Sequence, residues 1–221
     1  MTTETTSKGY FDVVYRDYER QNPAKKLDHY IDALISFSPS KETRLLDIGC
    51  GLGAFLWRAH QRRPDWKLVG TDIDEEGVSA RRVRVPSARV VRAAASSQPF
   101  PCQSFNVVTA WDVLEHVQDL EAARTTIRNL LTPGGVVAFV VPVYDGPVGP
   151  LVRLLDKDPT HVHKRSRRFW LEWAAEEFEV TAWHGIFRYL VGRHHIHWTT
   201  HRLRTLSPAI LVFCRNHPDS Q

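Results

Sequence analysis

The stretch of sequence that decides the fold reads Leu45-Leu46-Asp47-Ile48-Gly49-Cys50-Gly51-Leu52-Gly53-Ala54-Phe55. An apolar run ends in an acid, three glycines follow at alternate positions, and a helical pattern then begins. This order predicts a buried strand that turns tightly into a helix around a ligand. Glycine has no Cβ, so the backbone of such a turn can bend sharply and approach a ligand closely. The N-terminus of the following helix favours a carboxylate or a phosphate.

By itself the glycine pattern leaves the ligand open. Gly49, Gly51 and Ala54 satisfy the dinucleotide-binding fingerprint, in which the third position is Gly or Ala. A glycine-rich turn that binds nothing is the structural alternative. The choice between these interpretations depends on the rest of the chain.

Composition indicates a single globular domain. The chain has 221 residues, a mass of 25.4 kDa, a net charge of +4 and a pI near 9.1. This charge is too small to indicate nucleic-acid binding by itself. The three cysteines are widely spaced and odd in number, which favours reduced thiols. The N-terminus has no apolar signal core, and the longest apolar run, residues 136–141, is too short to span a bilayer. We therefore expect a cytoplasmic protein that is not bound to a membrane.

Apolar runs alternate with helical patterns along most of the chain. This alternation predicts an α/β fold with a mostly parallel, doubly wound sheet, in which ligands bind outside the carboxyl ends of the strands. Strands are predicted at residues 44–48, 66–70, 88–92, 105–110, 136–141 and 209–214, with a strand-like stretch from Phe178 that a His/Arg-rich insertion follows. Helices are predicted between Pro23 and Ser38 and at residues 54–62, 75–82, 113–117 and 120–131, and aromatic residues share a helical face at residues 10–18.

Four further landmarks follow the glycine loop. Asp72 comes about 20 residues after the glycines, at the end of the second predicted strand, where a carboxylate can accept ribose hydroxyls. Residues 98–108 read QPFPCQSFNVV, residues 111–117 read WDVLEHV, and residues 131–135 read LTPGG.

In this order, residues 45–141 resemble class I S-adenosylmethionine (SAM)-dependent methyltransferases. The string D-x-G-x-G-x-G matches the cofactor loop of that family, and the later strings look like its LPFPDxSFDVV, xxVLEHV and LxPGG segments. A nicotinamide-dependent dehydrogenase would explain the first loop but not the later landmarks. The resemblance implies a seven-stranded sheet with helices on both faces, N-terminal lid helices, and SAM as the cofactor.

The resemblance also implies which residues bind the cofactor. Asp72 is expected to accept hydrogen bonds from both ribose hydroxyls. The family usually carries an acid after the third strand for the adenine amino group, whereas Ala94 stands there in this chain. Adenine would then be held by backbone groups, by Ser96 or by apolar stacking. The expected cofactor-binding set comprises Tyr15, Asp47, Gly49, Cys50, Gly51, Gly53, Asp72, Ile73, Ala94, Ala95 and Trp111.

Three histidines, His116, His161 and His163, are candidates for a catalytic base. A neutral histidine can take a proton from a hydroxyl or an amine near pH 7. His116 belongs to a Glu-His pair that the resembling family keeps across different chemistries, so a structural role is the alternative. His161 and His163 lie in a segment that resembles the border of the acceptor pocket in small-molecule members, and an ordinary surface loop is its alternative.

Metal binding is a further alternative at the same place. Asp112, Glu115 and His116 resemble the ligand set of metal-assisted O-methyltransferases, to which His161 or His163 could add a ligand. Many members of the family without a metal share this string, so we predict no metal site there.

A second histidine cluster follows near the C-terminus. Its spacing matches no zinc finger and no cysteine lies near it in the sequence, so we interpret it as a basic, solvated surface. The cluster comprises His194, His195, His197 and His201, with Arg188, Arg193, Arg202 and Arg204 nearby.

We expect a SAM-dependent methyltransferase that acts on a hydroxyl or an amine of a small-molecule acceptor, such as a secondary metabolite. The short chain beyond the core, which leaves no room for an RNA-binding module, favours this function. A tRNA or nucleic-acid methyltransferase is one alternative, and a SAM-binding partner subunit without catalytic activity is another. We expect one domain over residues 1–221, with a tail and lid helices at 1–38, a SAM-binding core at 43–141, and an acceptor-side segment and the last strands at 142–221.

Overall fold

A computed structural model describes residues 22–37, 42–74, 88–191 and 194–217, although the side chains of residues 189–191 and 194–196 lie outside this description. Its helices are α1 (Ala24–Phe37), α2 (Ala54–Arg62), α3 (Leu120–Leu130), α4 (Gly149–Leu155) and α5 (Arg167–Ala175), with short 3-10 turns at Leu114–His116 and Arg204–Leu206. Its strands are β1 (Arg44–Ile48), β2 (Lys67–Asp72), β3 (Arg89–Arg92), β4 (Phe105–Trp111), β5 (Leu131–Pro142), β6 (Phe178–Val191), β7 (His194–Thr200) and β8 (Ala209–Asn216).

The strands form one eight-stranded sheet in the order β3-β2-β1-β4-β5-β8-β6-β7. The strands from β3 to β5 pair in parallel, whereas β8 is antiparallel to both β5 and β6, and β7 is antiparallel to β6. The carboxyl ends of β1, β2 and β4 therefore meet at one edge of the sheet, where ligands of such folds bind. The expected α/β fold with a mostly parallel, doubly wound sheet is confirmed.

Helices cover both faces of this sheet. On one face, Tyr30 and Ile31 of α1 pack with Phe55 of α2, and all three side chains are buried. On the opposite face, α3 packs beside α5, whose Trp170 and Trp173 are buried. Successive residues of β5 enter the two cores alternately, as the pleat of an interior strand requires.

The sheet has eight strands rather than the expected seven. The additional strand, β7, pairs with β6 along residues 185–191 in the region interpreted from sequence as a His/Arg-rich insertion. β7 lies at the edge of the sheet, where a strand pairs on one side only and tolerates polar side chains. The polar composition of this segment therefore did not indicate a strand. Its β-branched and aromatic residues, which include Ile196, Trp198 and Thr199, do favour one.

Several element boundaries also differ from the expectations. Leu114–His116 forms a 3-10 turn rather than a longer helix, and β5 begins at Leu131, with a register shift opposite Phe105 and Val107. The helices α4 and α5 were not predicted, because the pattern weakens after residue 142. The helix expected at 75–82 and the aromatic segment at 10–18 lie outside the described residues. None of the described helices combines the length and the apolar character needed to cross a bilayer.

Candidate cofactor and acceptor site

The glycine loop leaves the carboxyl end of β1 and enters α2 directly after Gly53. Gly49 has a φ of +67°, and a Cβ built on it would lie 2.4 Å from a methyl carbon, Cγ2, of Val113. The position therefore requires glycine both for its left-handed backbone and for its packing. The loop thus lies in contact with the segment that follows β4.

Two residues of this stretch are buried inside the fold. Asp47 is 1% exposed and its Oδ1 accepts a hydrogen bond from Oγ1 of Thr109 at 2.7 Å. Cys50 is buried, and its backbone N–H donates to the carbonyl oxygen of Thr71 at 2.9 Å. Both residues thereby fix the glycine loop to the neighbouring strands β4 and β2, and their expected cofactor contacts stay predictions.

Asp72 lies at the carboxyl end of β2, beside the glycine loop. Its Oδ2 accepts a hydrogen bond from the backbone N–H of Gly51 at 2.9 Å, and its Oδ1 accepts one from the N–H of Asp74 at 3.1 Å. The Gly51 N–H therefore points to this carboxylate. A carboxylate oxygen can accept more than one hydrogen bond, so the expected contacts with ribose hydroxyls are compatible with this geometry.

A cavity of about 470 Å³ opens next to Asp72, between the ends of β2 and β3. Ile73, expected to bind the cofactor, lines it with a side chain that is 68% exposed, and Ala94 lines it as well, with the buried Ala95 next in the chain. An exposed apolar side chain in a concave site suits the face of a heteroaromatic ring. The lining residues are Ile73, Arg92, Ala93, Ala94, Ser97, Gln98 and Pro99.

Trp111 ends β4 between the glycine loop and α1. Its ring stacks on Tyr30, with the centroids 4.6 Å apart, and meets the ring of Phe55 edge-on at 5.3 Å. Its indole Nε1 is buried and has no hydrogen-bond partner among the described residues. Tyr15, the other aromatic residue expected at the cofactor, lies outside the described residues.

Asp112 connects three elements that are far apart in the sequence. Both of its carboxylate oxygens accept from Nη1 of Arg188 on β6 at 2.6 Å, and Nζ of Lys26 on α1 lies 3.6 Å from Oδ2. Burial by itself raises the pKa of Asp112, but the two cations outweigh it and lower the pKa to about 2. Asp112 also has a φ of +56°, which few residues other than glycine adopt. Nothing in the sequence pattern predicts that Arg188 and Lys26 meet at this carboxylate.

Glu115 is the buried acid of the 3-10 turn after β4. It is 1% exposed, and its Oε2 has no hydrogen-bond partner among the described residues. Burial and, after it, the charge of Asp112 raise the pKa of Glu115 well above its ordinary value. Its backbone carbonyl oxygen accepts hydrogen bonds from the N–H groups of Val162 and His163 at 3.0 and 3.1 Å. These bonds attach residues 156–163, hereafter the histidine loop, to the end of β4.

Asp156 organises the histidine loop. Its Oδ2 accepts from the hydroxyl of Tyr144 at 2.5 Å, from Nδ1 of His161 at 3.0 Å and from Nζ of Lys164 at 2.9 Å. Burial raises the pKa of Asp156, but these three donors outweigh it and hold the pKa far below its ordinary value. The sequence analysis missed Asp156 and Tyr144, although an acid five residues before His161 was a usable signal.

His116 and His161 lie together, with their ring centroids 4.7 Å apart. The Nδ1 of His161 faces Asp156, and the Nδ1 of His116 lies 3.2 Å from the carbonyl oxygen of Thr160. In the tautomer that places the proton on Nδ1 of each ring, each Nε2 carries the lone pair. Burial and the neighbouring His161 lower the pKa of His116.

The third candidate base, His163, lies apart from this pair. Its Nε2 donates to the carbonyl oxygen of Val117 at 2.8 Å, and its ring faces Trp170 at 6.3 Å between centroids. Its Nδ1 is buried without a partner among the described residues. This geometry favours a structural role for His163, which anchors the histidine loop to the turn after β4.

The structure also brings together one potential metal-ligand set. One ligand atom each of Glu115, His116 and His161 lie within 4.8 Å of one another. Asp112, which the sequence analysis considered with them, is paired with Arg188 instead. Among the described residues, these three side chains form a group that could hold a metal ion. One carboxylate and two imidazoles are ligands that suit zinc or another transition metal.

The second histidine cluster is only partly described. His197 lies against Tyr30 and His29, with ring centroids 5.5 and 6.1 Å apart, and Nε2 of His201 lies 3.1 Å from Nη1 of Arg204. The side chains of His194 and His195 lie outside the description. The solvated basic surface stays a prediction.

Comparisons with known proteins found relatives of this chain. A family model described as a methyltransferase domain matches residues 18–203. The chain is 31% identical over 131 residues to a trans-aconitate 2-methyltransferase of Variovorax paradoxus, which covers 58% of this chain and 48% of that protein. It is 36% identical over 111 residues to a nocamycin O-methyltransferase of Saccharothrix syringae, and this match covers 48% of this chain and 40% of that protein. The chain spans about half the length of the curated relatives it matches.

Solved structures share the fold at low sequence identity. A SAM-dependent methyltransferase of Thermotoga maritima superposes with a TM-score of 0.68 at 15% identity, over 94% of this chain and 98% of the other. The similarity in fold therefore extends beyond residues 45–141 to the strands that follow them.

Proposed function

The chain belongs to the methyltransferase-domain family, and from that premise we propose that it transfers a methyl group from S-adenosylmethionine to a hydroxyl or an amine of a small-molecule acceptor. The cofactor of the family is S-adenosylmethionine. The observation that carries the proposal is the pair formed by His161 and Asp156 in the histidine loop. Nδ1 of His161 lies 3.0 Å from Oδ2 of Asp156. A carboxylate that accepts from Nδ1 fixes the imidazole with its basic nitrogen available to an acceptor.

On the donor side, the glycine loop holds the methionine end of the cofactor and Asp72 holds the ribose. The cavity lined by Ile73 and Ala94 receives the adenine. When bound, the cofactor supplies the electrophilic methyl group, so the protein contributes alignment and exclusion of water. The buried rings of Tyr30 and Phe55 around Trp111 support that exclusion of water beside the loop.

On the acceptor side, His161 is the general base. Its Nε2 would take the proton of the acceptor hydroxyl or amine as that oxygen or nitrogen bonds to the methyl carbon, while the methyl–sulfur bond breaks and S-adenosylhomocysteine leaves. Asp156 keeps His161 in the required tautomer and stabilises the imidazolium that forms, and the hydroxyl of Tyr144 holds Asp156 in place. His116, 4.7 Å away between centroids, borders the same space.

The nature of the acceptor is supported by the relatives. The names of the matched proteins include a nocamycin O-methyltransferase and a ubiquinone biosynthesis O-methyltransferase, which favours a small-molecule acceptor and transfer to oxygen. We assign residues 43–141 to SAM binding and residues 142–221 to the acceptor side of one domain. Residues 1–38 complete that domain as a tail and lid helices.

Substitution of the base tests the proposal. We expect His161→Gln to lower kcat by about 10²–10⁴-fold, because general-base catalysis contributes on that order. SAM affinity, measured by calorimetry, should stay unchanged.

Asp156→Asn should also lower kcat, since it removes the charge that holds the imidazole. His201→Gln, an exposed histidine outside the loop, is the matched control. Wild-type kcat in His161→Gln would contradict the role of His161.

A metal-assisted version of the same reaction is the second candidate. It is favoured by the 4.8 Å grouping of Glu115, His116 and His161, and by Oε2 of Glu115, which has no hydrogen-bond partner among the described residues. In that version the ion would bind the acceptor hydroxyl and lower its pKa. Chelator treatment followed by metal add-back distinguishes the two, with methyl transfer to a common acceptor as the readout. Full activity after chelation would remove the metal-assisted version, and loss restored by a single divalent ion would favour it.

A further inference from the structure

The guanidinium of Arg188 uses only part of its hydrogen-bonding capacity on Asp112. Nη1 of Arg188 donates to both carboxylate oxygens of Asp112 at 2.6 Å, and this guanidinium makes no other hydrogen bond among the described residues. A guanidinium has five N–H groups, and its strongest pairing with a carboxylate engages two nitrogens side by side. The edge that Nε and Nη2 of Arg188 form is therefore left unused by Asp112.

This edge of Arg188 is accessible to a ligand. The side chain is 27% exposed, and in the part of the chain described, the buried polar atoms that lack a hydrogen-bond partner do not include its Nε or Nη2. The two nitrogens therefore have surface open to solvent. Because Asp112 already holds the guanidinium in place, a ligand that binds this edge loses little of its binding energy to ordering the side chain.

Arg188 lies beside the elements of the proposed acceptor side. It reaches from β6 to Asp112, directly after β4, at the edge of the sheet where ligands of such folds bind. Burial raises the pKa of both Glu115 and Tyr144, and the positive charge of Arg188 opposes that rise at each of them. The charge of Arg188 therefore acts on the turn after β4 and on the tyrosine that contacts the histidine loop.

We propose that the methyl acceptor carries a carboxylate, which Arg188 binds through Nε and Nη2. This inference rests on the proposed function, because it concerns the acceptor of the same methyl transfer. The carboxylate is an anchor that does not react, while a hydroxyl or an amine elsewhere on the acceptor receives the methyl group. A planar carboxylate matches the two parallel N–H groups of the edge, and a guanidinium stays charged throughout the physiological pH range.

The pair with Asp112 distinguishes an anchor from a purely structural arginine. Asp112 and the carboxylate of the acceptor compete for one guanidinium and repel each other. We therefore expect Asp112→Asn to bind an added carboxylate about 2- to 10-fold more tightly than wild type, because one nearby negative charge is removed from a partly exposed site. A carboxylate affinity that stays the same or falls in this variant would contradict the anchor.

Benzoate and its neutral counterpart benzamide test the inference in ligand-observed NMR titrations with saturating S-adenosylhomocysteine. The bound S-adenosylhomocysteine fills the cofactor site with its own carboxylate, so benzoate reports on the acceptor side. We expect wild type to bind benzoate at least about 10-fold more tightly than benzamide, as for hydrogen bonds between charged groups. Equal affinity for the two compounds, or binding of neither, would overturn the inference.

Two substitutions of Arg188 locate the site. Arg188→Gln should abolish the preference for benzoate. Arg188→Lys keeps a charge beside Asp112 but lacks the planar edge, so it should weaken benzoate binding about 3- to 10-fold, and it decides the matter if Arg188→Gln does not fold. Arg202→Gln, an exposed arginine near the second histidine cluster, is the matched control and should bind benzoate as wild type does.

The outcomes for these variants are decisive. Wild-type benzoate affinity in Arg188→Lys, or an equal loss in Arg202→Gln, would overturn the inference, since the second result would assign the binding to a general basic surface. If the wild-type protein binds no S-adenosylhomocysteine at all, the proposed function fails. If it binds this ligand, and Arg188→Lys weakens that binding rather than the binding of benzoate, only the acceptor anchor fails, because Arg188 then holds the carboxylate of the cofactor.

Discussion

At the scale of single residues, the site combines a paired acid with an unpaired one. Asp112 is held ionised by Arg188 and Lys26, whereas Glu115, three residues later, is buried with its Oε2 unpartnered in the part of the chain described. Burial and, after it, the charge of Asp112 raise the pKa of Glu115, whereas Arg188 and Lys26 lower the pKa of Asp112 despite its burial. Carboxyl groups with opposed environments are typical of functional sites.

The raised pKa of Glu115 has a consequence for stability. The folded state holds the proton of Glu115 at pH values where the unfolded chain has released it, so this residue lowers the free energy of unfolding as pH rises above about 4.3. We expect Glu115→Gln to be more stable than wild type in urea unfolding at pH 8, and the difference to shrink towards pH 4. Glu179→Gln, an exposed acid on β6, should show no such trend. A stability difference between Glu115→Gln and wild type that stays constant or shrinks as pH rises from 4 to 8 would contradict the assignment.

At the scale of elements, the glycine loop and the histidine loop are both fixed to the segment that follows β4. The glycine loop contacts Val113, and the histidine loop bonds to the backbone carbonyl of Glu115. The two loops therefore share one support, and a displacement of residues 112–116 affects both.

A pair of glycine substitutions separates this contact from simple backbone strain. Gly49 and Gly134 have φ values of +67° and +70°, but a Cβ would meet Val113 only at Gly49 and nothing within 4 Å at Gly134. We expect Gly134→Ala to cost about 1–2 kcal/mol for its backbone conformation, and Gly49→Ala to cost about 1–3 kcal/mol more because of overpacking. Urea unfolding measures both. Equal losses would show that the contact with Val113 is relaxed without cost.

The sequence predicted the neighbourhood of the glycine loop and Asp72 better than the surroundings of Asp112. The glycine loop and Asp72 lie in short segments whose strands, turns and helices are encoded by nearby residues. Because parallel strands end at the same edge of a sheet, the fold predicts that the two lie close together. The ion pair of Asp112 with Arg188 joins residues 76 positions apart, and no local periodicity reports such a contact. β7 escaped prediction for a related reason, since an edge strand lacks the apolar alternation of a buried one.

At the scale of the whole molecule, the proposed cofactor site would couple ligand binding to the stability of the sheet. Asp72 and the glycine loop connect β2 and β1 through the bond from Gly51, so a ligand held there stabilises the folded state alone.

This coupling predicts a thermal shift. S-adenosylhomocysteine at 100 times its Kd should stabilise the protein by about 2.7 kcal/mol and raise Tm by about 5–10 °C. Asp72→Asn should lose most of this shift, because the ribose contacts and the bond to Gly51 weaken together. Asp65→Asn, in an exposed pair with Arg63, should keep it. A full shift in Asp72→Asn would mean that the ribose lies elsewhere.

The position of β8 in the sheet also dictates when the protein can become active during its synthesis. β8 is made after β6 and β7, yet it inserts between β5 and β6 and pairs with both. A nascent chain that has not yet released residues 209–216 from the ribosome therefore holds β6 apart from the parallel strands, and Arg188 cannot reach Asp112. The parallel strands β1–β5 can assemble first, but β6 and β7 join the sheet only when β8 arrives.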